Sequence, residues 1–171
     1  MLVRIISIIL RNTYTTDDLS VRIVAMRKYY DAVLYKKKKA GAEIGLRDVA
    51  QDVDDDSMEA ISEWLRDFEK AALQPIIVYE ALDTVEEEIV GLPTVTVYVP
   101  IRFSKIHVKR FGEWFRSNVQ PNIMLNIRID SSTAGGCSFV WQNVYHDFSF
   151  RYYARKEHEQ IVSAFNSIST T

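Results

Sequence analysis

The chain has 171 residues, 47% of them apolar and 26% charged, which fits one ordinary domain or two small ones and argues against wholesale disorder. A formal net charge of -2 gives no overall basic bias toward nucleic acid. The single cysteine, Cys137, excludes an intrachain disulfide and fits a reducing compartment.

Met1 to Leu10 is the one candidate targeting segment. Arg4 interrupts its apolar run, and Arg11-Asn12 follows where a small-residue cleavage site would stand. The run is too short for a bilayer and has a poor signal-peptide form, so a soluble chain is expected. Met1 to Ile9 is rich in β-branched residues, and over so short a run periodicity does not separate helix from strand. Thr15-Thr16-Asp17-Asp18 is a helix start, because hydroxyls and carboxylates satisfy free N–H groups and acids favour the positive end of the helix dipole. The helix it opens is expected to run to about Lys39, with Lys36 to Lys39 in its last turn, before Gly41 and Gly45 break the pattern.

Asp55-Asp56-Ser57 precedes a second amphipathic run, in which Met58, Ile61, Leu65, Phe68 and Leu73 fall mostly three or four apart. Pro75 should end or kink that helix. Ile76 to Val90 resumes the helical pattern, and Gly91-Leu92-Pro93 stops it. Three or four helices are therefore expected before Gly91, where we place the boundary between a helical domain, 1–91, and a mixed domain, 92–171.

In the second part Val95, Val97 and Val99 alternate as a strand ended by Pro100. Ser104 to Asn118 follows as a helix with Val108, Phe111, Phe115 and Val119 on one face. Ile123, Leu125, Ile127 and Ile129 form the next strand, and Asp130-Ser131-Ser132-Thr133 ends it with turn-favouring side chains. Gly135-Gly136 leads into Cys137, Phe139 and Trp141, and Gln142-Asn143 has the length of a tight hairpin turn. Ala154, His158, Ile161, Phe165 and Ile168 trace a final helical stripe. The fold class is α+β: a helical bundle, then a small domain of order β-α-β-β-β-α.

The candidate chemistry is sparse. Asp52, Asp54, Asp56 and Glu63 match ligand positions of a calcium loop, but Ser57 occupies the position normally held by glycine; helix capping is the better reading. Cys137 and His146 suggest a nucleophile and base. A hairpin turning at Gln142-Asn143, however, sets Cys137 opposite Phe148 and His146 opposite Phe139. Cys137 then reads as a small core residue. His107, His146 and His158 lack zinc-type spacing. Lys36 to Lys39 beside Tyr29, Tyr30 and Tyr35 suits an anionic surface, yet also a solvated helix end. No phosphate-binding loop, nucleophile elbow or dinucleotide fingerprint appears. We expect no catalytic, metal or cofactor site.

An Asp-ended strand, a short loop, Gly-Gly, a strand, a tight turn and Asp-x-Ser-x-Arg opening a helix form a set: Asp130, Gly135, Gly136, Asp147, Ser149 and Arg151. Over residues 93–165 this pattern resembles the delta subunit of F-type ATP synthases, called the oligomycin-sensitivity-conferring subunit in mitochondria. The resemblance implies a non-catalytic peripheral-stalk subunit. Its helical part would bind the catalytic alpha and beta subunits and its mixed part the b-type stalk subunits, with no nucleic acid and only indirect membrane contact. It implies a place at the cytoplasmic face of the bacterial plasma membrane, or the organellar equivalent, in support of proton-driven ATP synthesis. Large aromatics dominate interface energetics, which singles out Trp64, Phe68, Trp114, Tyr152 and Tyr153 as candidate contacts. Two other readings remain open: a V-type E-like stalk subunit, or a small RNA-binding module using the lysine run.

Overall fold

A computed structural model describes residues 1–35, 44–160 and 162–163. The chain is α+β, with its first five helices preceding a four-stranded sheet. The helices are α1 (Leu2–Arg11), α2 (Thr16–Tyr35), the single-turn α3 (Leu46–Val49), α4 (Asp55–Lys70) and α5 (Pro75–Val90). Then come β1 (Thr94–Val99), α6 (Lys105–Asn118), β2 (Met124–Ile129), β3 (Gly136–Trp141), β4 (Val144–Ser149) and α7 (Phe150–Lys156). The chain divides into two compact units, 1–93 with 109–124, and 94–108 with 125–171. The larger part of α6, from Lys109 onward, therefore belongs with the helical unit.

Local chemistry accounts for the helix ends. Thr15 Oγ1 accepts the Asp18 N–H at 3.0 Å and opens α2. Asp54, from the acidic stretch, caps α4 by accepting the Ser57 N–H at 3.0 Å. Pro75 does not kink a helix; it stands at the start of α5, where a missing N–H costs nothing. The Met1 to Ile9 segment enters a helix at Leu2: Ile5, Ile8, Ile9 and Leu10 turn to the core, so α1 follows a 3.6-residue period. The expected last turn of α2 at Lys36 to Lys39, and Gly41, lie outside the described residues, as do Ile161, Phe165 and Ile168 of the C-terminal stripe.

The core of the helical unit gathers Ile5 and Ile9 from α1, Leu19, Ile23 and Met26 from α2, Ile61, Trp64 and Phe68 from α4, and Leu82 and Val85 from α5. Trp64 and Phe68 are each 1% exposed, which corrects their selection as surface contacts. The physical reason is that α4 turns Met58, Ile61, Trp64 and Phe68 toward one interior, and the Trp64 indole finds its partner there, donating to Asn12 Oδ1 at 2.7 Å.

Two arginines fix the α1–α2 connection. Arg22, 5% exposed, donates to Asn12 O at 2.9 Å, Thr13 Oγ1 at 2.8 Å and Ser57 Oγ at 3.3 Å. Arg116, from α6, donates to Leu10 O and Thr13 O at 2.6 Å each and to Ile123 O at 3.2 Å, while stacking over Tyr14. Helix ends leave carbonyls without intrahelical partners, and Arg116 satisfies one at the end of α1.

In the other unit the sheet order is β2-β1-β3-β4. Bonds from Met124 N–H to Pro93 O and from Asp130 N–H to Val99 O advance together along both chains, so β1 and β2 are parallel. The β1–β3 and β3–β4 pairs are antiparallel. The crossover between the parallel strands is α6, as that connection requires.

Candidate functional site

The residues of the Asp-Gly-Gly-Asp-Ser-Arg set converge where β2, β3, β4 and α7 meet. Asp130 folds its own loop: Oδ1 accepts the Ser132 N–H at 2.9 Å, and Oδ2 accepts the Thr133 hydroxyl at 3.4 Å. Asp147 repeats the device one strand on, accepting the Ser149 N–H at 2.8 Å. Ser149 in turn caps α7, its Oγ accepting the Tyr152 N–H at 3.2 Å. Arg151, on the first turn of α7, donates to Ser132 O at 3.2 Å and so ties the helix back to the Asp130 loop. Gly135 O accepts the Phe150 N–H at 3.0 Å.

Both carboxyls are held below the usual carboxylate range. For Asp130 the largest cause is hydrogen bonding from the Ser132 hydroxyl, then from the Ser132 N–H, with Arg151 adding a smaller attraction. For Asp147 it is the Ser149 hydroxyl, then the Ser149 N–H, with Arg151 and Arg155 contributing. Each acid is thus an ionised acceptor turned on its own chain. That arrangement orients a helix; it does not position a proton for transfer.

One face of the sheet is mostly apolar, with His146 its polar member on β4. Register sets Val97 opposite Phe139 and Phe139 opposite His146, with Cys137 opposite Phe148 and Trp141 opposite Val144. The three β3–β4 pairings are those expected from a turn at Gln142-Asn143. Val95, Val97, Val99 and Leu125 are fully buried, but exposure rises outward to 53% at Val144 and 45% at Phe148. Phe139 stacks on His146 and on Phe148, with ring centroids 4.8 and 5.6 Å apart. Burial pushes the Cys137 thiol up, away from the thiolate that a nucleophile needs.

Of the remaining candidate contacts, Trp114 is 52% exposed, Tyr152 44% and Tyr153 45%. Val144 and Phe148 are exposed apolar positions that aromatic size alone did not single out; their signal is alternation within VYHDFS at a sheet edge. Asp54 of the acidic cluster is engaged as a helix cap, and among the described residues no group of His, Cys, Asp or Glu is placed to hold a metal ion. His107 meets the Ser104 hydroxyl within its own turn. Among the described residues no helix is long and apolar enough to cross a membrane. No family model and no curated protein matches the chain.

Proposed function

We propose that the chain is a non-catalytic peripheral-stalk subunit of a rotary F-type ATP synthase. On this reading the helical unit binds the alpha and beta subunits of the catalytic head and the mixed unit binds the b-type stalk subunits, at the cytoplasmic face of the bacterial membrane or its organellar counterpart. The observation that carries the proposal is the convergence of Asp130, Gly135, Gly136, Asp147, Ser149 and Arg151 on the root of α7. Their bonds run to one another and to local backbone, which is what a joint under mechanical load needs and what an active site would not spend on itself. A stator resists torque without doing chemistry, so it requires firm joints and open apolar faces. Val144 and Phe148, with Trp114, Tyr152 and Tyr153, supply such exposed side chains.

The test is affinity capture from native membranes with this chain as bait, followed by mass spectrometry. The alpha, beta and b-type subunits in stoichiometric amounts are the expected result. Their absence, with RNA eluting instead, would remove the proposal and favour the RNA-binding alternative.

A further inference from the structure

The strand β4 is an edge of the sheet, and among the described residues no strand pairs with its outer side. Natural edges are blunted by charged side chains, lysine above all, and by proline, bulges or very short strands. The six residues VYHDFS carry a single acid, Asp147, and no lysine or proline, and every one pairs in unbroken register with β3. Val144, Tyr145 and Phe148 are 53%, 58% and 45% exposed.

The hairpin turn decides which backbone groups this edge presents. Gln142 and Asn143 have φ of 49° and 62°, the pair of left-handed residues that defines the tight two-residue turn matched to strand twist. Such a turn makes its flanking pair, Trp141 and Val144, the hydrogen-bonded one, and alternation assigns His146 and Phe148 likewise to β3. The N–H and C=O groups of Tyr145 and Asp147 therefore point outward. The next outward N–H, that of Ser149, is already taken by the Asp147 carboxylate at 2.8 Å, so the open edge is short and bounded.

We infer that the free chain self-associates through this edge, β4 pairing antiparallel with β4 of a second copy about a two-fold axis at His146. The register follows from charge and backbone together. Centring on Asp147 would set two carboxylates directly opposite, which is unfavourable. Centring on His146 places Tyr145 of each copy opposite Asp147 of the other, so that both outward residues bond and no acid faces an acid. Phe148 of one copy then lies beside Val144 of the other, extending the apolar face through both sheets. A two-fold contact must be self-complementary in this way. The inference does not rest on the stalk reading.

Equilibrium sedimentation should show mass rising from the 19.8 kDa monomer toward twice that value over roughly 5 to 500 µM, the regime for a contact below about 1,200 Å². Tyr145→Pro removes an outward N–H that β3 does not use, so it should leave the fold intact and abolish the dimer. Tyr145→Lys keeps the N–H and places a charge on the edge, and should also abolish it; circular dichroism confirms folding of both. Amide exchange at Tyr145 and Asp147 should slow with concentration in the parent only. A monomer at every concentration, a dimer that survives in a folded variant, or exchange at these two amides independent of concentration would each overturn the inference.

Discussion

Gly136 has φ of +79°, and a Cβ there would run into the Phe148 carbonyl across the hairpin. Gly136→Ala should therefore lower stability by about 2–4 kcal/mol in urea unfolding, since backbone strain and a close contact act together. Asp130 and Asp147 titrate in a defined direction. Their folded carboxyls are depressed, so the stability they contribute is present above the unfolded carboxylate value near pH 4 and is lost as pH falls through the folded value. Asp147→Asn should flatten that acid limb of a melting-temperature profile; an unchanged slope would mean that the Ser149 bonds do not form in solution. These residues were legible because each acts within a few positions of itself in the chain. Trp64 and Phe68 were not. An aromatic at helical spacing reads the same whether it faces a partner or the interior, and the deciding neighbour of Trp64, Asn12, stands far away in sequence.

Helix and strand positions followed from short-range chemistry, so α2, α4, α5, β1 and the hairpin could be placed from capping residues and alternation. What short-range pattern does not contain is the joint between elements. Arg116 lies on a helix whose apolar stripe predicts only its packing face, yet it bonds Leu10 O and Thr13 O, over a hundred positions earlier. Gly112 belongs to the same contact, because a Cβ there would collide with the Tyr14 ring on which Arg116 stacks. Arg116→Met keeps most of the volume and removes every donor. It should cost about 2–4 kcal/mol, because half-buried carbonyls lose charged partners. Hydrogen exchange should then quicken first at the end of α1 and in residues 12–15. Uniform loss of protection across the helical unit would instead mean that Arg116 supports the whole core and not one joint.

At the scale of the molecule, burial separates groups that maintain the fold from groups available to a partner. Trp64→Ala should cost about 3–5 kcal/mol by leaving a cavity in the helical core, with loss of any binding following from unfolding. A paired change of Val144→Glu and Phe148→Glu alters side chains already half in water and gives up the Phe139–Phe148 stack, so stability should fall by only about 1–2 kcal/mol. If the apolar face of β3 and β4 receives a stalk helix, the same change should strip b-type subunits from the captured assembly while alpha and beta remain. Tyr145→Pro supplies the complementary control, since it blocks the outer backbone edge and leaves that face unaltered. Loss of b-type subunits in the glutamate pair but not in the proline variant would locate stalk binding on the face. Loss in both would place it at the edge, and retention in both would move the contact to Tyr152 and Tyr153.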